Sequence, residues 1–267
     1  MNSVEIRDEG PTRIVTINRP AARNAVDPET ATALYEAFLA FDADDGMSVA
    51  ILTGANGAFC GGFDLKHAAG GVDDSWFRRH ALTGAEDPQD RRPGPMGPTR
   101  LHLSKPVIAA VEGPAVAGGM ELALWCDMRV MADTAYMGVY CRRWGVPLID
   151  GGTIRLPRIV GQGRALDLIM TGRKVEAKEA QQIGLASRLA PHGGALAKAL
   201  EVAAELTRFP QECLRADRSV ALDQWSLPRH AAFAREWQSA AAFQREGLAG
   251  AARFSAGKGR GGSFDEL

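Results

Sequence analysis

Residues 111–127 read VEGPAVAGGMELALWCD, and this stretch decides the predicted fold. The apolar run at 106–111 is typical of a buried strand, which ends in a turn at Gly113. Gly118 and Gly119 then lead into a helical segment at 120–126. A helix that begins on glycines leaves its first backbone N–H groups unpaired at the positive end of its dipole. These donors are suited to bind an oxygen that carries negative charge.

Glu121 is the candidate catalytic residue of this stretch. It lies three residues after Gly118, so it is one turn into the helix and on the same side. Its neighbours are apolar, and a carboxylate in such a setting usually has a partner or a chemical role. Beside free N–H donors it is suited to act as a general acid or base next to an oxyanion site. The structural alternative is an acid in the first helical turn, half of a capping box that lacks its Ser or Thr.

A second glycine-rich turn supports the catalytic interpretation. Residues 49–54 predict another buried strand, and the segment after it contains Gly61 and Gly62 before a second predicted helix start with Asp64 in its first turn. Strand-to-helix turns of this kind meet in one crevice at the carboxyl ends of the strands. One N–H group from each turn would form an oxyanion hole with two donors.

With both turns in place, the chain resembles the enoyl-CoA hydratase/isomerase family, also called the crotonase family. The order and spacing of the matching segments are specific, and they run through most of the chain. They are residues 18–25, 58–66, 104–127, 151–156, 168–173, 177–180 and 183–185.

The resemblance implies an α/β fold. It consists of a crotonase-like core, a spiral of ββα repeats at residues 1–195 that binds the acyl-CoA, and a C-terminal helical trimerisation region at 196–267. It also implies a homotrimer or a homohexamer made of two trimers.

The same resemblance implies roles for single residues. The oxyanion donors would be the N–H groups of Phe63 and Gly118, with Glu121 as acid or base. Neither a metal nor a redox cofactor is expected, because coenzyme A is part of the substrate. The residues that the resemblance places along the substrate or its coenzyme A part are Arg23, Ala25, Gly61, Asp64, Leu65, Lys66 and Cys141. From residue type alone, Arg23 and Lys66 would be solvated surface cations.

The chain departs from the hydratase pattern at one position. Hydratases of the family carry a second glutamate where this chain has Cys141, and a thiol with an ordinary pKa of about 8.5 is a poor substitute for a carboxylate. Asp150, just before a Gly-Gly turn, is the other acid available, either as a second catalytic group or as a helix cap. Arg142 and Arg143 are expected to form salt bridges with Asp150 or Glu121 and to lower the pKa values of these two acids.

Composition narrows the class of protein. The 267 residues are 46% hydrophobic and 24% charged, with a formal net charge of −1, so a nucleic-acid surface is not expected. The four cysteines are too scattered for a zinc site or a disulfide framework, and reduced thiols in the cytoplasm are the default expectation. No apolar run is long enough to insert into a membrane, and no signal peptide is expected at the N-terminus. A nucleotide-binding Rossmann domain is not expected either, because no GxGxxG motif follows a first strand and no P-loop is present.

Further elements follow from local patterns. Residues 4–17 predict a β-hairpin, and Asp27 followed by Pro28 predicts a helix start. Another strand is expected at 128–132, and a short helix around Trp76 and Phe77. The remaining predicted helices are 165–171, 177–182, 195–208, 210–225 and 228–246.

Hydration of a 2-enoyl-CoA is the leading functional hypothesis. An isomerase that shifts the double bond is the nearest alternative, since it needs only one acid/base group. Decarboxylation, C–C cleavage and hydrolysis are also compatible with an oxyanion hole. A catalytically silent acyl-CoA-binding subunit is the alternative from another class.

Overall fold

A computed structural model describes residues 2–82 and 91–264 of the chain. The strands of this part are β1 (Val4–Glu9), β2 (Thr12–Ile17), β3 (Val49–Gly54), β4 (Val107–Val111), β5 (Pro114–Val116), β6 (Met128–Ala132), β7 (Tyr136–Gly138), β8 (Val175–Glu176) and β9 (Arg188–Ala190). The α-helices are α1 (Pro28–Ala43), α2 (Leu65–Ala69), α3 (Asp74–His80), α4 (Gly118–Trp125), α5 (Gly152–Val160), α6 (Gln162–Thr171), α7 (Ala177–Gln182), α8 (Ala195–Thr207), α9 (Gln211–Asp223), α10 (Arg229–Trp237), α11 (Ala240–Ala242) and α12 (Leu248–Ser255).

The main sheet has six strands in the order β1-β2-β3-β4-β6-β9. The predicted hairpin is confirmed as the antiparallel pair β1–β2, and the following pairs are parallel. Every residue of β4 is buried, as expected for a parallel strand covered on both faces. Helix α1 packs against β1 and β2 of this sheet. Asp27 caps its first turn by accepting the N–H of Thr30, as the sequence predicts.

A second, smaller sheet has the order β5-β7-β8. Each of two consecutive units places one strand in the main sheet and the next in the small sheet, and then turns helical: β4-β5-α4, and β6-β7 with a 3-10 turn at Tyr140–Trp144. Cys60 extends the small sheet through an isolated parallel bridge to Ala115. The mixed α/β class and the ββα repeats therefore agree with the sequence prediction.

The C-terminal part is helical, with one correction. The single helix predicted at 228–246 is wrong, because it divides into α10, α11 and a π-helical turn at Phe243–Gly247. The N–H groups of Gln238 and Ser239 donate to carbonyls three residues back, at 3.2 and 2.9 Å, which tightens the chain and ends α10.

The division after residue 195 stays a prediction. Helix α8 begins at Ala195, so the division falls within its first turn, and this helix packs against β3, β4 and β6. Within residues 2–82 and 91–264, no helix has the length and apolarity needed to cross a membrane.

Candidate active site

Two glycine-rich turns lie side by side and are joined main chain to main chain. The N–H of Cys60 donates to the carbonyl of Pro114 at 3.1 Å, and the N–H of Val116 donates to the carbonyl of Cys60 at 3.0 Å. A Cβ atom built on Gly119 would lie 2.2 Å from that same carbonyl oxygen. Only glycine at 119 therefore permits this separation of the two turns.

The second turn is sharp and strained. Ala117 has φ 53° and ψ −126°, a region that costs a residue with a Cβ atom about 1–3 kcal/mol. Its N–H donates to the carbonyl of Gly138 at 2.9 Å, which holds the turn in place. The chain passes from β5 directly into α4, so the predicted helix begins two residues early, at Gly118.

The two candidate oxyanion donors are exposed by this arrangement. Hydrogen bonds between Val26 and the residues on either side of Phe63 fix that peptide, at 2.8 and 2.9 Å. A Cβ atom built on Gly62 would lie 3.0 Å from the Gly118 nitrogen, so the first turn closely approaches the start of α4. Within the described part of the chain, neither the Phe63 nor the Gly118 N–H donates a hydrogen bond to a protein acceptor. Their role as an oxyanion hole stays a prediction.

A cavity of about 360 Å³ opens beside these donors. It brings together seven of the residues singled out from the sequence: Gly61, Phe63, Leu65, Gly118, Glu121, Cys141 and Asp150. The described residues that line it do not include Arg23, Ala25, Asp64 or Lys66.

Glu121 is buried, with 3% of its surface exposed. Its Oε1 accepts the N–H groups of Asp150 and Gly152, both at 2.9 Å. The capping-box alternative is thus wrong, because the carboxylate reaches away from its own helix to the start of α5. Burial, and next the charge of Asp150, raise the pKa of Glu121 to about 7.

Asp150 is equally buried. Its Oδ1 accepts the N–H of Met96 at 3.0 Å and the hydroxyl of Thr99. The helix-cap alternative is wrong, since its carboxylate bonds to residues outside α5, and no side chain in the described part of the chain caps the start of that helix. Burial raises the pKa of Asp150, although the hydrogen bonds from Thr99 and Met96 oppose the rise.

Arg155 fixes the main chain at Asp150 and Thr99 by hydrogen bonds to their carbonyl groups. Its Nη1 donates to the Asp150 carbonyl at 2.9 Å and its Nη2 to the Thr99 carbonyl at 2.6 Å. The predicted pairing of Arg142 and Arg143 with the carboxylates is wrong. Arg142 donates to the Ile169 carbonyl at 3.3 Å, and Arg143 lies over the Tyr140 ring at 4.3 Å.

Three contributors to the site were not singled out from the sequence: Met96, Thr99 and Arg155. Arg155 had a visible signal, because it lies in the first turn of the helix that follows Asp150. Met96 and Thr99 had none, since they come from an irregular Gly/Pro-rich segment about 50 residues upstream.

Cys141 lies at the cavity wall in the 3-10 turn and is 6% exposed. Burial, and next the charge of Glu121, raise the pKa of its thiol. The group is therefore a neutral thiol at physiological pH and does not replace a carboxylate.

The loop that contains Arg23 and Ala25, which the resemblance places along the substrate, is fixed by the side chain of Arg19. Its guanidinium lies 2.8 Å from Asp27 and 2.9 Å from Asp64, so the loop is pinned to two acids. Asp64 precedes α2 as its N-cap and accepts the N–H groups of Lys66 and His67, which corrects its predicted place inside the first turn. Arg23 and Lys66 are exposed, and their contact with coenzyme A stays a prediction.

Comparisons with known proteins give results that agree with one another. A family model described as enoyl-CoA hydratase/isomerase matches residues 10–247. The chain is 39% identical over 205 residues to the enoyl-CoA hydratase EchA19 of Mycobacterium tuberculosis, covering 74% of this chain and 72% of the relative. It is 38% identical over 208 residues to a carnitinyl-CoA dehydratase of Salmonella arizonae, covering 77% and 75%. A crystal structure of an enoyl-CoA hydratase from Bacillus anthracis is similar with a TM-score of 0.84 and 28% identity, over 96% of each chain.

Proposed function

Since the chain belongs to the enoyl-CoA hydratase/isomerase family, we propose that it is a lyase that adds water to the double bond of a 2-enoyl-CoA. The observation that carries the proposal is the pair of buried carboxyl groups, Glu121 and Asp150, in one cavity beside two main-chain N–H groups that have no acceptor among the residues the structure describes. Relatives named as a hydratase and a dehydratase run this chemistry in its two directions, which adds support.

The two carboxyl groups divide the proton transfers. The charge of Asp150 helps to raise the pKa of Glu121 to about 7, so we assign the ionised form to Asp150 and the protonated form to Glu121 in the reactive state of the pair. Asp150 takes a proton from water as the water oxygen bonds to the β-carbon. The electron pair of the double bond moves onto the thioester oxygen, and Glu121 gives its proton to the α-carbon. The two groups then exchange one proton to return to the starting state.

The developing enolate oxygen is the centre that needs stabilisation. The N–H groups of Phe63 and Gly118 would donate to it, and losing one such donor typically costs a factor of ~10²–10³ in rate. Hydration is redox-neutral and its proton transfers are carried by carboxyl groups, so we propose that no cofactor is required beyond the coenzyme A of the substrate.

A double-bond isomerase is the second candidate, and Cys141 is the observation that favours it. With a neutral thiol in place of a second glutamate, Glu121 alone would move a proton from the α- to the γ-carbon and so shift the double bond of a 3-enoyl-CoA. In that case Asp150 would only raise the pKa of Glu121 and fix the segment around Met96 and Thr99 through its hydrogen bonds.

The test is turnover of crotonyl-CoA, followed by loss of the absorbance of the conjugated enoyl thioester. Wild type, Glu121→Gln and Asp150→Asn are compared, with Glu36→Gln as the control because it removes an exposed carboxylate on α1. Hydration by this pair predicts turnover that both site variants reduce by ~10²-fold or more and the control leaves unchanged. Loss of turnover in Glu121→Gln alone contradicts the role of Asp150 as base.

Formation of the conjugated absorbance from a 3-enoyl-CoA, without hydration, would establish the isomerase. Tight acyl-CoA binding with no reaction at all would establish the silent subunit.

We also propose that the chain assembles as a homotrimer or homohexamer. Large aromatic side chains on the C-terminal helices support this, with Trp237 78% exposed and Phe233 57% exposed, since exposed apolar patches mark interaction surfaces. Sedimentation equilibrium tests it: a monomer at micromolar concentration would contradict the assembly.

A further inference from the structure

We propose that the acyl group of the substrate is bulky and apolar, larger than the four carbons of a crotonyl group. The inference rests on the proposed function and names its substrate class. Its basis is an apolar wall that begins at the candidate oxyanion donors and continues outward on two sides of the cavity.

The first side is formed by α3. The Trp76 ring lies 5.7 Å from the Phe63 ring and 5.1 Å from the Phe77 ring, so a row of aromatic rings extends from a residue whose N–H is a candidate oxyanion donor. None of the residues of α3 is buried, yet Trp76 and Phe77 both line the cavity. The apolar face of this helix therefore covers the cavity rather than a core.

Polar contacts hold α3 in this position. Asp73 caps it by accepting the N–H of Trp76 at 3.0 Å, and Arg100 donates to the carbonyl of His80, the last residue of the helix, at 2.7 Å. A short helix fixed at both ends, with its aromatic residues directed at a cavity, is a preformed wall for an apolar ligand.

The second side is formed by the 3-10 turn and the segment after it. Trp144 is 65% exposed and Ile149 is 44% exposed, and both line the same cavity. Phe77 and Leu65 are likewise exposed and line this cavity. Solvent-exposed apolar residues collected around one cavity indicate a ligand that covers them.

The charges around the cavity point to an uncharged acyl group. Among the described residues, its lining contains three ionisable residues besides Tyr140 and Cys141: Glu121, Asp150 and Arg143. The two acids have roles in the proposed reaction, and the guanidinium of Arg143 stacks on Tyr140. The acyl group would therefore meet carbon on both sides.

The expected difference in affinity between long and short acyl groups follows from the burial of further methylene groups. Each buried CH₂ is worth about a fourfold gain in affinity, so four additional carbons in contact with these walls give a gain on the order of a hundredfold. The wild-type protein is titrated calorimetrically with butyryl-CoA, octanoyl-CoA and glutaryl-CoA, saturated thioesters that lack the double bond and so cannot be hydrated. Octanoyl-CoA is expected to bind about a hundredfold more tightly than butyryl-CoA, and glutaryl-CoA no more tightly than butyryl-CoA.

Two variants test whether the side chains of α3 and of the 3-10 turn contact the acyl group. Phe77→Ala and Trp144→Ala are each expected to lower the octanoyl-to-butyryl affinity ratio by about tenfold, since an apolar side chain that covers the acyl group is removed. Both side chains are more than half exposed, so neither change leaves a hole in the core. Met170→Ala on α6, 65% exposed and outside the cavity lining, is the control and keeps the wild-type ratio.

The outcomes separate this inference from the proposed function. An octanoyl-to-butyryl ratio below about threefold, or tighter binding of glutaryl-CoA than of octanoyl-CoA, overturns the inference even if crotonyl-CoA is hydrated. An unchanged ratio in both wall variants overturns it as well. A strong octanoyl preference without hydration of any 2-enoyl-CoA supports the acyl class and overturns the hydratase proposal instead.

Discussion

Glu121→Gln is expected to make the protein more stable at alkaline pH while it removes activity. In the folded chain the carboxyl group has a pKa of about 7, against an ordinary value of 4.5. Burial is the main cause and the charge of Asp150 the second. A glutamine in the same place has no charge to lose solvation, and its carbonyl can still accept the N–H groups of Asp150 and Gly152 that the carboxylate accepts now.

The sign and size follow from proton linkage. Below pH 4.5 both folded and unfolded states are protonated at Glu121, and the group costs no stability. Between 4.5 and about 7 the unfolded chain loses the proton and the folded chain keeps it, so the free energy of unfolding falls as pH rises. Above pH 7 the full cost is present, about 3 kcal/mol at about 1.4 kcal/mol for each pKa unit. The stability gained by Glu121→Gln should therefore rise from about 1 kcal/mol at pH 5 to about 3 kcal/mol at pH 8.5.

The assay is urea unfolding of wild type, Glu121→Gln and Glu36→Gln at pH 5 and 8.5. One protein concentration is used throughout, because the stability of an oligomer depends on it. Glu36→Gln, on an exposed face of α1, should change the free energy of unfolding by less than about 0.5 kcal/mol at either pH. A Glu121→Gln difference that is the same at both pH values would refute the raised pKa. A variant less stable than wild type at pH 8.5 would refute the cost of burying the charge.

Three further substitutions test the site. Asp150→Asn removes the charge that helps to raise the pKa of Glu121, so the alkaline limb of the residual kcat/KM profile should move below pH 7; a limb that stays in place contradicts this coupling. Cys141→Glu adds a third carboxylate beside Glu121, and the same limb should move upward by at least about half a pH unit; a limb that stays in place would show that the two groups do not interact. Gly119→Ala forces a Cβ atom to 2.2 Å from the carbonyl of the neighbouring turn, and should cost about 1–3 kcal/mol in urea unfolding together with most of the activity. Its control is Gly163→Ala, where the new Cβ meets no atom within 4 Å; equal effects would contradict the close contact of the two turns.

Local patterns predicted most of the fold. The hairpin, the strands at 49–54 and 128–132 and the start of α1 follow from alternation, apolar runs and capping residues, and the structure confirms them. The family and its crotonase-like fold are confirmed by the family model and by the likeness to a solved enoyl-CoA hydratase. These features depend on short-range rules or on motif order, and both are visible in a single sequence.

The partners of the two acids were not visible in the same way. Glu121 and Asp150 were each assigned a possible capping role inside their own segments, and the structure instead gives them hydrogen bonds to distant residues. Such contacts depend on how α4, α5 and the segment around Met96 pack, which spacing along the chain does not encode. The same reason explains the wrong pairing of Arg142 and Arg143, whose charge suited the acids but whose turn directs them elsewhere.

The contact between the two glycine-rich turns has a consequence for how this enzyme could diversify. Main-chain hydrogen bonds at Cys60 set the separation of the turns, whereas the walls of the cavity are side chains on α3 and on the segment around Trp144. If these walls bind the acyl group as we propose, substitutions in them change the preferred acyl group while the turns stay in place. Random mutagenesis confined to α3 and residues 144–149 should therefore yield variants with new preferences at a high rate, whereas the same mutational load on residues 60–62 and 117–119 should yield mostly inactive protein.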